Sequence, residues 1–134
     1  MADKSKELTA SIKLINDKVR FTGEVEGNPP VSIDYIPPVG DNLGYTSLEL
    51  LLLSLSSCIG SAVLIFLRKM NKTILNCEIH SKGIRKQEHP TGFKSILVEF
   101  NLTSPDVTEE DFTKVLMMAE DKYCPVWSMI KGNT

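Results

Sequence analysis

One long apolar segment constrains the fold of this 134-residue chain more than any other feature. The run from Leu50 to Leu67 is apolar on nearly every side of a helix, and Thr46 and Glu49 precede it with the spacing of a capping box. The pattern predicts a central helix over 46–70. Such a helix is either buried on all sides or spans a membrane. Serines within the run and strand patterns on both sides of it favour the buried helix.

Alternating apolar and polar residues on both sides of this helix predict β-strands. We expect strands within 7–36 before the helix and within 73–103 after it. A helical pattern with acidic residues in its first turn follows, and Cys124 then precedes a proline, which suits the first position of a short last helix. Helices are therefore expected within 108–131. Together these elements predict one α+β domain that covers residues 1–134.

Composition excludes several classes of function. The 15 basic and 17 acidic residues leave a net charge of only -2, and neither sign forms a long run, which argues against a nucleic acid or an anionic membrane as partner. Residues 1–7 are polar and lack the apolar core of a secretory signal, so we expect a cytoplasmic protein. His80 and His89 are not at ligand spacing with any cysteine, so no metal site is predicted.

The three cysteines are too few, and odd in number, for a disulfide scaffold, so thiol chemistry or simple burial must explain them. Cys124, at a helix start, is in a position that favours a thiolate. Cys77 lies on the apolar face of a strand and is expected in the core. Cys58 lies deep in the long helix, so a nearby cation would have to lower its pKa. The sequence offers a lysine or one of the three arginines: Arg20, Arg68 and Arg85.

Several sequence blocks resemble one known family. The chain is similar to the osmotically inducible and organic hydroperoxide resistance proteins, the OsmC/Ohr family, in the order and spacing of four blocks, which are residues 46–58, 77–78, 85–90 and 120–126. The last block contains Tyr123-Cys124-Pro125 and the first ends at Cys58. The resemblance covers nearly the whole chain.

The resemblance implies an intertwined homodimer in which antiparallel sheets wrap around two long central helices. A patch of Ser57, Gly60 and Ser61 at helical spacing would allow the helix of a second copy to approach closely. The resemblance also implies a soluble thiol peroxidase without cofactor. In it Cys58 attacks an organic hydroperoxide, Cys124 closes a disulfide with Cys58, and a dithiol reductant such as a lipoyl protein or a thioredoxin-like protein reopens that disulfide.

Two positions depart from the family pattern. The family's peroxidases use a glutamate and an arginine to activate the reacting cysteine, and that glutamate falls at Leu48, one position before Glu49. The loop 37–46 contains no arginine, so the sequence does not assign the activating cation, and Arg20 is one of the candidates. Glu49 either takes part in activation or only caps the helix. The candidate catalytic residues are Cys58, Cys124, Glu49 and Arg20. The alternative is an OsmC-like stress-related or small-molecule binding protein with little peroxidase activity.

Overall fold

The computed structural model describes residues 3–134 of the chain. The chain falls into two compact units, Met1–Leu50 and Leu51–Thr134, which are described in turn. The elements are mixed helix and strand, and every strand pairing is antiparallel, which confirms the α+β class.

The first unit is a three-stranded antiparallel sheet in the order β1 (Ser11–Leu14), β2 (Phe21–Glu24) and β3 (Val31–Ile33). The strands are shorter than the sequence pattern suggests, since residues 7–10 lie outside β1. The turn between β1 and β2 is held by the Asn16 side chain, which accepts hydrogen bonds from the backbone amides of Lys18 and Arg20, both at 3.0 Å. Short polar turns of this kind set the register of a hairpin.

A buried carboxylate organises the loop that follows β3. Asp34 is 4% exposed, and its oxygens accept from three backbone amides, those of Tyr35 at 2.8 Å, Asp41 at 3.2 Å and Leu43 at 3.1 Å. A Cβ atom at Gly40 would clash with the Asp34 carboxylate and the Tyr35 carbonyl, so this tight loop requires glycine there. The loop conformation is thus specified locally.

The long helix α1 runs from Ser47 to Lys69. Its capping box is formed, because the Glu49 amide donates to Thr46 Oγ1 at 3.2 Å and the Thr46 amide donates to Glu49 Oε1 at 2.9 Å. The helix ends where Asn71 adopts a left-handed φ of 61°. By length and composition alone α1 could cross a membrane, a test that the core helix of a soluble protein also passes.

Helix α1 is buried on one face only within the single chain. One face is buried, and its residues are spaced three or four apart: Leu55, Ile59, Ala62, Val63 and Leu67. The opposite face is open, with Leu53 at 54% and Ile65 at 51% exposed. A single chain therefore covers one face of α1, and burial of the whole helix, which requires a second copy, stays a prediction.

The predicted patch of Ser57, Gly60 and Ser61 does not form one surface. Gly60 is buried, and a Cβ there would meet the Ile79 side chain of the neighbouring sheet, whereas Ser57 and Ser61 are exposed. The absence of a side chain at Gly60 therefore allows Ile79 of the chain's own strand to pack closely against the helix. The expectation of a common docking patch that includes Gly60 is wrong.

The second unit pairs β4 (Asn76–Arg85) with β5 (Phe93–Thr103) in an antiparallel hairpin. Helix α2 (Glu109–Met118) follows, with a capping box between Thr108 and Asp111. A π-helical turn over Ala119–Tyr123 then leads into α3 (Pro125–Ile130). The sequence pattern indicated one fading helix up to Lys122 and did not distinguish the π-helical turn.

The core of the second unit is apolar and continuous. The residues of α1 that face inward pack with Val115 and Ala119, both fully buried, and with Cys124, which is 1% exposed. Side chains of β5 and α2 cover this cluster, including Phe100 and Phe112, whose rings meet edge to face at 5.2 Å. This core fixes the C-terminal segment against α1.

A candidate thiol redox site

Cys58 lies on α1 at the border between its buried and exposed faces. It is half-buried and packs against the apolar core, directly before Ile59, which is 2% exposed. A long helix anchored by several buried side chains is rigid, so the position of this thiol is well defined. The residue thus combines packing against the apolar core with partial exposure to solvent.

Cys124 is placed by the π-helical turn and by Pro125. Its amide donates to the Ala119 carbonyl at 2.9 Å, which closes the wide turn, and its backbone is extended as the N-cap of α3. The adjacent Tyr123 ring lies 4.7 Å from that of Phe66 on α1. Local π-helical turns often occur at functional positions. Here the turn, held by aromatic packing, brings the cysteine against the long helix.

The Cys124 sulfur accepts hydrogen bonds from the first turn of α3. The Trp127 amide donates to Sγ at 3.4 Å, and the Val126 amide is also directed at the sulfur. Serine or aspartate takes this capping role in most helices, and a thiol is a weaker acceptor. Both donors would bind a thiolate more strongly than a thiol.

Cys58 and Cys124 are neighbours at the same core, because Cys58 packs against the apolar cluster that contains Cys124. Burial raises the pKa of the Cys124 thiol to about 11, although the Trp127 amide opposes that rise and the contact with Cys58 adds to it. Cys124 is therefore protonated at neutral pH, and the expectation that its position at a helix start favours a thiolate is wrong, because burial outweighs the backbone amides. All three cysteines of the chain are free thiols in this structure.

Cys77 has a different environment. It lies on β4 opposite Leu102 of β5, is half-buried, and its pKa is raised by burial. It alternates with exposed neighbours as the strand period requires. Among the described residues it neither belongs to the core cluster nor packs against it, so the prediction that Cys77 lies in the core is wrong.

The other two predicted catalytic residues, Glu49 and Arg20, belong to the first unit. Glu49 caps α1 through Thr46, and this bond lowers the pKa of its carboxyl. Arg20 donates from Nε to Ser32 Oγ at 3.2 Å, and its charge also lowers the pKa of Asp34. Both side chains thus have structural partners within their own unit. That they activate Cys58 stays a prediction.

The arginines of the second unit have other positions. Arg68 is exposed in the last turn of α1, where a cation favours the helix end. Arg85, at the end of β4, hydrogen-bonds to the Thr91 carbonyl at 2.7 Å and to the Thr91 hydroxyl. Within residues 3–134, no group of His, Cys, Asp and Glu side chains is arranged to hold a metal ion.

A groove of about 830 Å³ follows α2 and the π-helical turn. Its apolar lining comes from Met117, Met118 and Tyr123, and acidic and basic side chains such as Glu110 and Lys114 flank it. Tyr123 adjoins Cys124 in sequence, but neither Cys58 nor Cys124 lines the groove. Tyr123 could be suspected from the sequence as a pocket residue, because an aromatic side chain beside a reactive thiol can line an apolar substrate site.

Comparison with known proteins identifies relatives in sequence. The family model described as OsmC-like protein matches residues 40–134. Protein YhfA of Escherichia coli (strain K12) is 25% identical over 84 residues, which is 63% of this chain. The match also spans only 63% of the length of YhfA.

Solved structures show the same fold over nearly the whole chain. A hypothetical protein from Aquifex aeolicus VF5 has a TM-score of 0.83 at 24% identity, covering 96% of this chain and 90% of that protein. An organic hydroperoxide resistance protein from Elizabethkingia anophelis has a TM-score of 0.70 at 19% identity, covering 95% of this chain and 89% of that one. At these identities the likeness shows the fold.

Proposed function

The chain belongs to the OsmC-like family, and on this premise we propose that it is a thiol-dependent peroxidase that reduces organic hydroperoxides through Cys58 and Cys124. The observation that carries the proposal is the proximity of these two thiols: Cys58 packs against the apolar core that contains Cys124, and it adds to the rise in the pKa of Cys124. Proteins of the same fold that are named for organic hydroperoxide resistance support the substrate class.

The chemistry needs two sulfurs and no cofactor. The Cys58 thiolate attacks the distal oxygen of ROOH, the O–O bond breaks, and the alkoxide takes up a proton and leaves as ROH. Cys58 is now a sulfenic acid. The Cys124 sulfur then forms a bond with the Cys58 sulfur, and the displaced hydroxyl leaves with the Cys124 proton as water. A dithiol returns the resulting disulfide to two thiols.

The different surroundings of the two sulfurs support this division of labour. Cys124 is 1% exposed and its pKa is about 11, so it is a poor first nucleophile at neutral pH. Cys58 is half-buried and can meet a substrate from solvent. The partly apolar surroundings of Cys58 suit an organic hydroperoxide better than hydrogen peroxide.

The same proposal includes the assembly and the location of the protein. We propose a cytoplasmic homodimer of single-domain subunits, in which the exposed face of α1, with Leu53 and Ile65, is covered by the second copy. The reductant would be a dithiol carried by a lipoyl protein or a thioredoxin-like protein.

A second candidate function is binding without efficient peroxide turnover. Two observations favour it. Glu49 and Arg20 are engaged by Thr46 and Ser32 in their own unit, and the groove lined by Tyr123 offers a surface for a small molecule. In that case the family fold would serve a stress-related binding protein.

Steady-state turnover of cumene hydroperoxide with dihydrolipoamide separates the two candidates. We expect turnover by the wild type and none by Cys58→Ser. Cys124→Ser should consume about one equivalent of peroxide and stop, leaving a sulfenic acid that dimedone labels. Cys77→Ser is the matched control, because it removes a half-buried thiol outside the interacting pair, and it should retain turnover. A folded wild type that consumes no organic peroxide would contradict the peroxidase proposal and favour the binding protein.

A further inference from the structure

The two sulfurs of the site differ in their access to an external thiol. Cys124 is enclosed by the core and 1% exposed, whereas Cys58 is half-buried on α1. Opening a disulfide requires an incoming sulfur to approach along the S–S axis from the side of the atom under attack. An approach to Cys124 would require the core to open, whereas Cys58, at the partly exposed border of α1, can be reached from solvent with less rearrangement.

We propose that the reductant attacks the Cys58 sulfur of the Cys58–Cys124 disulfide, so that Cys124 leaves as a thiolate held by the Trp127 backbone amide. This inference rests on the pairing in the proposed function and adds the direction of the reducing step. It also names the protein group that receives the negative charge.

The step balances as an exchange of thiol and disulfide. A thiolate of the reducing dithiol forms a bond with Cys58 Sγ, the Cys58–Cys124 bond breaks, and its electron pair stays on Cys124. Cys124 then takes up a proton from solvent. The second thiol of the reductant attacks its own sulfur in the mixed disulfide and expels Cys58 as a thiolate. The dithiol ends as a disulfide, having given two electrons to the protein.

The high pKa of Cys124 makes it a poor leaving group and so slows attack on Cys58. A leaving thiol of pKa about 11, rather than the ordinary 9.0, departs roughly tenfold more slowly if the rate follows pKa with a coefficient near one half. The hydrogen bond from Trp127 at 3.4 Å recovers part of this factor, since it strengthens as charge develops. Access outweighs what remains, because attack on Cys124 would require the core around Val115 and Ala119 to open.

Trapping the mixed disulfide tests the direction. The wild-type protein and Cys77→Ser are oxidised with diamide, so that the disulfide forms without any need for peroxidase activity. Each is then treated briefly with N-acetylcysteamine, a monothiol that cannot complete the second exchange, and quenched with N-ethylmaleimide. Peptide mass spectrometry should find N-acetylcysteamine on Cys58 and N-ethylmaleimide on Cys124, in at least about tenfold excess over the reverse pattern.

A pair of variants at one position tests the role of the amide. Trp127→Pro removes the N–H that donates to Cys124 Sγ, whereas Trp127→Ala removes the same side chain and keeps the amide. We expect reduction of the diamide-formed disulfide to be about tenfold slower in Trp127→Pro than in Trp127→Ala. If circular dichroism shows that Trp127→Pro does not fold, the mapping on the wild type decides the proposal by itself.

Each outcome has one meaning. Label on Cys124, an equal distribution, or no Cys58–Cys124 disulfide after diamide overturns the inference. Equal reduction rates in the two folded Trp127 variants overturn the role of the amide. A protein that shows the expected label but consumes no organic peroxide retains this inference and loses the proposed function, so the two failures are distinguishable.

Discussion

The two compact units of the chain are stabilised by different kinds of interaction. In the second unit, large apolar side chains from distant parts of the chain fill a common core around Leu55, Val63 and Val115. In the described part of the first unit, 3–50, no large apolar side chain is fully buried, and the buried side chain there is the carboxylate of Asp34.

The first unit, over its described residues, lacks an apolar core of its own. Residues on one face of the three-stranded sheet remain open, with Ile12 at 62% and Leu14 at 51% exposed. Short strands with an open apolar face have little stability of their own. The first unit therefore depends mainly on local polar bonds, whereas the second contains its own apolar core.

The largest expected effect compares two leucines. Leu67→Ala removes a fully buried side chain from the core of the second unit and should lower the free energy of unfolding by about 2–5 kcal/mol. Leu14→Ala, the same substitution on the open sheet face, should cost within about 0.5 kcal/mol while that face stays in solvent. Urea denaturation measures both.

Protein concentration sharpens this comparison. If a second copy covers the first unit in the proposed dimer, the cost of Leu14→Ala should grow from submicromolar to higher chain concentration, while that of Leu67→Ala stays large at both. Equal costs for the two leucines in dilute solution would show that the two units do not differ as described.

The next effect concerns the buried carboxylate of Asp34 in the first unit. Burial raises the pKa of the Asp34 carboxyl, but the three backbone amides and the charge of Arg20 outweigh it, so the net pKa lies below the ordinary value near 3.8. A lowered folded-state pKa stabilises the fold above the unfolded value, and this contribution is lost as the pH falls below about 4. Asp34→Asn should remove it and speed hydrogen exchange at the amides of Asp41 and Leu43.

The matched control is Asp41→Asn. It makes the same chemical change in the same loop, but at a surface carboxylate that pairs with Lys18 at 2.7 Å with both side chains over 40% exposed. Surface pairs of this kind contribute little. If exchange at the loop amides rises as much in Asp41→Asn as in Asp34→Asn, the buried carboxylate has no special role in holding the loop.

The smallest effect tests a motif that the two units share. Each contains a capping box, Thr46 with Glu49 and Thr108 with Asp111. Thr46→Ala and Thr108→Ala should each cost about 1 kcal/mol, since each frees one helix amide. Thr113→Ala, in the exposed interior of α2, should cost nothing or stabilise slightly because alanine favours helix. Thermal unfolding followed by circular dichroism measures the stability of all three variants. A loss of about 1 kcal/mol in Thr113→Ala as well would show that the effect does not come from capping.

Local features of the fold could be read from the sequence because neighbours in the chain specify them. The start of α1 at the Thr46 capping box, the alternation of β4 and β5, and the short helix that begins after Cys124 all follow from residue types at fixed spacing. The family and its α+β fold could also be predicted, because the four motif blocks occur in the family's order.

The family resemblance named Cys58 and Cys124, but only the tertiary structure decided how close they lie and what surrounds each of them. The contact between Cys58 and Cys124 joins residues distant in the chain, and the unequal burial of the two sulfurs depends on the core that closes over one of them. The three backbone hydrogen bonds to Asp34 form only because the loop after β3 folds back on its carboxylate. A single aspartate in a sequence does not predict such a loop. Spacing along a chain determines turns, caps and faces, whereas burial and proximity arise only when separate segments pack together.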